Sequence, residues 1–356
     1  MCTNDSIGRY SSERYGAFAR AIPFKVLSAL AVSAGLCHGA LAADGSISEL
    51  IRQRPPIVET PAIKLLRKLA ATPEASFDIA AARLELEKVV VPSVDVPASL
   101  KKIDQMAQTI RSMVGPSAPS RARLSALRHF LYDSGSWNDN NPFHYNLHDP
   151  NGSTFEDMLL SRYIRNHMGN CVSMPILFVA LSDRLGLHAT LSTAPNHIFV
   201  KYFDDVTGKT FNLETTSGAH PARDEWIRQN MSMSDQAITN GVYLKALSKK
   251  EEVALLAEIV IEYDTKRSQR YQEAWDIADT IRPLYPNDTT AILTPQMAAA
   301  WMLHTEYEEI WPVESDVPPA LQARLHFLEA TIRESYKEAK ALGWRPDDGE
   351  SQAANK

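Results

Sequence analysis

The chain has 356 residues, 44% hydrophobic and 22% charged, enough to bury a substantial core and to form two or three folded units. Its formal net charge of -6 offers no basic stripe to follow a phosphate backbone, which excludes nucleic acid as a natural partner. Three cysteines without a CxxC pair exclude a zinc knuckle and a disulfide framework, and no cofactor or metal is expected.

Residues 1–42 read as an export signal. A polar leader carrying Arg9, Arg14, Arg20 and Lys25 precedes the apolar run Val26 to Leu36, which is too short to span a bilayer, and Ala40-Leu41-Ala42 has the small-residue form of a cleavage site. The expectation is a periplasmic or secreted protein with no stable membrane insertion; the alternative is retention of this segment as a membrane anchor. Cleavage after Ala42 would remove Cys2 and Cys37 and leave Cys171 as the single thiol.

Residues 43–135 read as a helical lead-in. Ser76 is expected to cap a helix running through Leu84 toward Val89, Val96 to Val114 carries Leu100, Ile103, Met106, Ala107 and Ile110 at helical spacing, and Ser120 to Tyr132 forms a third helix. A core follows at 136–245. Trp137 to Pro150 is a loop by composition, and its His144 and His148 invite a metal reading; histidines four apart converge on one ion only on a helix, which Pro142 and Pro150 oppose. Ser153-Thr154-Phe155-Glu156 has the form of a capping box and is expected to start a helix that ends near Gly169.

The chemistry-bearing residues come next. Asn170 is placed to cap an apolar helix from Cys171 to Gly186, so the thiol would lie beside unpaired amides at the positive helix end, both of which favour thiolate. Pro175 near the end of the first turn fits badly with this, so either the start of the helix is distorted or the regular helix begins a residue or two later. Ala189 to Ser192, His197 to Phe203 and Thr210 to Thr215 read as strands, with turns at Pro195-Asn196 and Asp204 to Gly208. A hairpin centred at 205 or 206 would set Glu214 opposite His197 on one face, and a one-residue slip would separate them. The expected roles are a Cys171 nucleophile, a His197 proton carrier and a Glu214 that orients the imidazole. The Cys171 amide is the natural oxyanion donor, while Asn170, Asn196 and groups around Asn151 and Ser153 compete for the second place. Against this stands a small buried core cysteine and an ordinary strand histidine.

Residues 246–343 read as helices. Ser248 to Glu251 is a capping box leading into Leu255, Leu256, Ile259 and Val260; Tyr271 to Ile281, a stretch around Gln296 to His304, and an amphipathic run from Leu321 to Ala339 closed near Gly343 follow. A disordered tail is expected at 344–356.

Gly169-Asn170-Cys171, Asn196-His197-Ile198-Phe199-Val200 and Leu213-Glu214-Thr215-Thr216 resemble the three blocks of a transglutaminase-like, papain-type cysteine core, with Glu in place of the commoner Asp. The resemblance implies an α+β fold, in which the helix bearing Cys packs on a small antiparallel sheet, flanked by N-terminal helices and a C-terminal helical repeat-like region. From about Phe77 onward the chain is similar to the SirB1-like branch, whose C-terminal helices are tetratricopeptide-like and whose members often carry Pro where this chain has Cys171. The implied function is an exported cysteine-dependent amide hydrolase or acyl transferase acting on a peptide-like substrate. A non-catalytic scaffold that binds a protein partner through the core and the C-terminal helices is the alternative.

Overall fold

The structure, a computed structural model, describes residues 54–346. The signal read at 1–42 and residues 347–356 of the tail read at 344–356 lie outside the described residues, while Trp344, at the start of that tail, is buried. Among the described residues, no helix is long and apolar enough to cross a membrane.

Helix α1 spans Pro61–Ala71, with Thr60 as its cap and Pro61 in the first turn, where a missing N–H costs nothing. The sequence reading passed over it. Helix α2, Ile79–Val90, is capped by Asp78 rather than by Ser76: the Asp78 carboxylate accepts from the amides of Ala80 (2.8 Å) and Ala81 (3.1 Å), while Glu74–Ser76 forms a separate tight turn. Helices α3, Val96–Val114, and α4, Ser120–Tyr132, have the expected bounds.

The strand β1, His144–Tyr145, pairs in parallel with β2, Met168–Gly169. Between them the single helix expected from Ser153 is broken. Ser153 donates to Asp149 (2.9 Å) instead of capping, Phe155–Met158 is a 3-10 turn, and α5 begins only at Leu160 and runs to Asn166. Its cap comes from far away in sequence, because the Glu87 carboxylate accepts from the amides of Leu160 (2.5 Å) and Ser161 (3.0 Å).

Helix α6, Ser173–Arg184, is buried all round from Ser173 to Ser182, which its continuous apolar sequence requires. It packs on α3 and α5 and on two strands of an antiparallel sheet ordered β3 (His188–Ala194), β4 (His197–Asp204), β5 (Lys209–Glu214) and β6 (His220–Ala222). The β4–β5 register differs from the expectation by two residues. Asp204 pairs with Lys209, and its carboxylate accepts from the Val206 amide (3.2 Å), the Thr207 hydroxyl (2.5 Å) and Arg121, so β4 extends to Asp204 and the turn moves toward β5. An even displacement keeps every side chain on its expected face.

Two short helices, α7 (Asp224–Asn230) and α8 (Asp235–Thr239), lead to α9, Lys249–Lys266, whose capping box of Ser248 and Glu251 forms as the sequence indicated. Helices α10 (Tyr271–Ile281), α11 (Thr289–Leu303) and α12 (Pro319–Ala341) follow, each packed on its predecessor. Helix α11 starts well before the expected Gln296 because Asp288 caps it and the buried Ala291, Ile292 and Thr294 hold it continuous through Pro295.

One apolar cluster contains residues of α1, α2, α3, α5, α6, β3, β4, α9 and α10, so the lead-in, the sheet and the C-terminal helices share a core. Arg83 on α2 lies within it, 1% exposed, donating to Glu87 (2.9 Å) and to the carbonyls of Leu256 (3.3 Å) and Met158 (2.6 Å). Burial draws its guanidinium below the usual value and the Glu87 charge opposes that. Removing one partner of a buried pair strands the other, so Arg83→Ala should cost about 3–5 kcal/mol in urea unfolding. A loss under about 1 kcal/mol would contradict this placement.

Candidate functional site

The loop before α6 is held by its own side chains. Asn170, 1% exposed, accepts through Oδ1 from the amides of Val172 (2.9 Å) and Ser173 (3.4 Å), and its Nδ2 reaches the Gly152 carbonyl (3.4 Å). Ser173 in turn donates to the Asp157 carbonyl (2.6 Å) and accepts from the Asn170 amide (3.2 Å). Gly169 is confined here: a Cβ would stand 2.3 Å from the Ser173 hydroxyl and 2.6 Å from the Tyr163 ring. These contacts fix Cys171, a buried thiol outside any disulfide, immediately before the regular helix begins at Ser173. The Ser153 hydroxyl is directed at Asp149 (2.9 Å) and the Asn170 backbone N–H at the Ser173 hydroxyl (3.2 Å), while Asn170 Nδ2 keeps a second hydrogen besides the one aimed at Gly152.

The β3–β4 hairpin closes over the thiol. Ala194 pairs with His197, leaving Pro195-Asn196 as a two-residue turn, and Asn196 takes φ +57, a left-handed conformation that Asn tolerates better than most residues. That turn brings the Asn196 carbonyl to 3.8 Å from the Cys171 sulfur, as acceptor of the S–H, and makes His197 the first residue of β4.

His197 is 8% and Glu214 3% exposed, and Nε2 of the ring lies 2.7 Å from Oε2 of the carboxylate. The same ring is hydrogen-bonded with the Cys171 thiol, for which Nδ1 is the nitrogen left over. Continuing the ladder from Val200 opposite Leu213 would set His197 opposite Thr216, so Glu214 meets the ring along the diagonal, two residues from the facing position. A diagonal neighbour is farther away than a facing one, which accounts for glutamate where a shorter aspartate would need a closer strand position. The other carboxylate oxygen accepts from the amide (3.1 Å) and hydroxyl (2.7 Å) of Thr216.

Burial works against a charged imidazole, but the Glu214 charge and hydrogen bond, with the Cys171 contact, outweigh it and raise the His197 pKa to about 10. Burial likewise works against the carboxylate, and the His197 charge and the bonds from His197 and Thr216 draw the Glu214 pKa below its usual value. The pair is therefore an imidazolium–carboxylate pair at neutral pH, inside the protein. Tyr132, the last residue of α4, was not picked out by sequence. Its buried hydroxyl has no hydrogen-bond partner, and burial together with the Glu214 charge pushes its pKa far up. Its position follows from how α4 packs, for which no local pattern stands.

The loop histidines are not drawn together as ligands. His144 Nδ1 lies 3.0 Å from the Tyr145 carbonyl, and among the described residues no group of three or more His, Cys, Asp or Glu could hold a metal ion. A cavity of about 290 Å³, lined by Asp183, His188, Lys201 and Lys249 among others, takes no wall from Cys171, His197 or Glu214.

Residues 98–254 match a family model described as the transglutaminase-like superfamily, a stretch that runs from α3 into α9 and includes Cys171, His197 and Glu214. The mixed architecture, a small antiparallel sheet with flanking helices, is consistent with that fold. No curated protein and no solved structure matches the chain.

The shifted pKa values set a pH window for stability. His197, raised from 6.5 to about 10, contributes fully below 6.5 and loses that contribution as pH rises toward 10. Glu214, lowered from 4.5, contributes above 4.5 and loses it as pH falls through its lowered value. Urea unfolding across pH should therefore show a plateau between these limits with losses on both sides. Glu214→Gln should bring the imidazole titration well below that of the wild type by NMR, because burial is then opposed only by the Cys171 contact; a ring still charged at pH 9 in that variant would show that Glu214 does not hold the proton.

Proposed function

We propose that this protein is a cysteine-dependent amide hydrolase or acyl transferase that acts on a peptide-like substrate. The observation that carries the reading is the His197 ring, bonded to Glu214 through Nε2 and engaged with the Cys171 thiol. A charged imidazole beside sulfur favours the thiolate, and Glu214 keeps that imidazole charged and oriented. The Cys171 sulfur would attack the carbonyl carbon, forming the C–S bond, while the Cys171 amide steadies the developing oxyanion. Nδ1 would then deliver its proton to the departing amine as the C–N bond breaks. Water or a second amine would attack the thioester and regenerate the thiol, which is the difference between hydrolysis and transfer.

The similarity of residues 98–254 to the transglutaminase-like superfamily supports this reading. Within that superfamily we place the chain beside the SirB1-like branch and read α9 to α12 as tetratricopeptide-like, a reading that draws support from four helices packed in succession. Retention of Cys171 together with His197 and Glu214 puts it in the catalytically equipped part of that branch. The leader at 1–42 supports export to the periplasm or outside the cell. A second reading, a scaffold that binds a protein partner, draws on the segment between α11 and α12, where Ile310 and Val313 are 57% and 55% exposed.

If the reading holds, iodoacetamide should modify Cys171 at pH 6 to 7 faster than it modifies the denatured chain, and His197→Ala should slow it by about tenfold or more. Modification no faster than in the denatured control rules out the catalytic reading. Glu214→Asp should also slow labelling, because the shorter side chain falls short along the diagonal; an unchanged rate would remove Glu214 from the site. Cys171→Ala should abolish turnover with a stability loss under about 1 kcal/mol, whereas a cysteine kept for packing would cost more. Partner binding that survives Cys171→Ala with no turnover in the wild type would favour the scaffold.

A further inference from the structure

Helix α11 ends in a π-helical turn, His304–Glu308, and the chain reaches α12 through a connection with one tight turn, Glu314–Asp316. The connection leaves apolar side chains in water. Ile310 and Val313 stand out from it, and Leu321, in the first turn of α12, is also exposed. The buried Tyr307 joins the two ends of this surface: its hydroxyl donates to the Leu321 carbonyl (3.3 Å) and its carbonyl accepts the Trp311 amide (2.7 Å), with the half-buried Trp311 ring 6.0 Å from its own. Single exposed apolar groups are ordinary, but several of them around a tryptophan, rimmed by charge, mark a contact surface. A π turn is itself rare and is found most often at functional segments.

Charge says what covers this surface. No lysine or arginine lies in the chain between Arg282 and Arg324, whereas Glu306, Glu308, Glu309, Glu314 and Asp316 crowd the connection. Arg324 is committed to Glu306 (2.8 and 3.0 Å). Glu308 and Glu309 both approach His304 (3.1 and 3.3 Å), whose ring brings at most one positive charge to two carboxylates. Glu314 and Asp316 stand exposed on the tight turn. Glu314 also faces α12, where burial, seconded by its charge, pushes the Glu329 pKa up against His326 and Arg333. A rim of this sign repels nucleic acid and anionic lipid, and a second copy docked through the same face would set carboxylates against carboxylates.

We infer that the connection between α11 and α12 docks a protein segment in which lysine or arginine is interleaved with apolar residues. The apolar groups of that segment cover Ile310, Trp311 and Val313, and its cations meet Glu309, Glu314 and Asp316. The surface lies beyond residue 254, outside the stretch similar to the transglutaminase-like superfamily. The inference goes beyond the acyl chemistry at Cys171 and does not depend on it.

The test is fluorescence anisotropy of a short fluorescein-labelled peptide of interleaved lysine and leucine, added to the full-length protein. It should bind about tenfold more tightly than a lysine–serine or a glutamate–leucine peptide of equal length, because each control lacks one of the two contributions. Ile310→Ser with Val313→Ser, and Glu314→Gln with Asp316→Asn, should each weaken binding by about threefold or more; all four positions are exposed, so the chain should fold as before. Binding should be unchanged in Cys171→Ala. Equal binding of the lysine–serine peptide reduces the surface to an ion exchanger and overturns the proposal, as does equal binding of the glutamate–leucine peptide or indifference to both double substitutions. A loss of binding in Cys171→Ala moves the peptide to the thiol and overturns it too. A dimer in sedimentation, or adsorption to phosphatidylcholine vesicles, that disappears in Ile310→Ser with Val313→Ser assigns the surface to a second copy or to a membrane and likewise overturns it.

Discussion

The bond between His197 and Glu214 is the constraint on which the candidate site turns. Both side chains are buried, so each alone would be driven toward its neutral form; together they stay charged because each supplies the field that the missing water would have supplied. The Thr216 amide and hydroxyl fix the second carboxylate oxygen, which leaves the first free to align the ring. With Nε2 taken, the ring has one nitrogen to offer the sulfur, and its orientation is set by the carboxylate rather than by the thiol.

The surrounding fold serves that alignment. Cys171 is placed by a loop whose Asn170 and Ser173 satisfy each other and reach back to Gly152 and Asp157, so the thiol sits on a rigid start of α6. His197 is placed by the tightest connection in the sheet, the Pro195-Asn196 turn, and the same turn presents a carbonyl to the sulfur. Two independent elements therefore converge on one point, and the shared core from α1 to α10 keeps them from separating.

Much of this was legible in the sequence where the governing contacts are local. The bounds of α3 and α4, the capping box of Ser248 and Glu251, and the two-residue turn before His197 each depend on residues a few positions apart. The misplacements come from distant partners. Glu87 caps α5 from another helix, Asp78 takes the place of Ser76 with Arg184 bound to its other oxygen (2.9 Å), and Asp204 sets the turn length with help from Arg121. The register error was even-numbered, so the faces of β4 and β5 survived it and Glu214 still found His197, along the diagonal instead of straight across.

The claim that a carboxylate-held imidazolium keeps Cys171 ionised is tested most directly by the ultraviolet absorbance of the thiolate as a function of pH, taken as the difference between the wild type and Cys171→Ser. Thiolate absorbance at neutral pH, lost in both His197→Ala and Glu214→Gln, is the predicted result. A difference signal that emerges only where an ordinary free thiol ionises, at about pH 8.5, and that is indifferent to both substitutions, would contradict it.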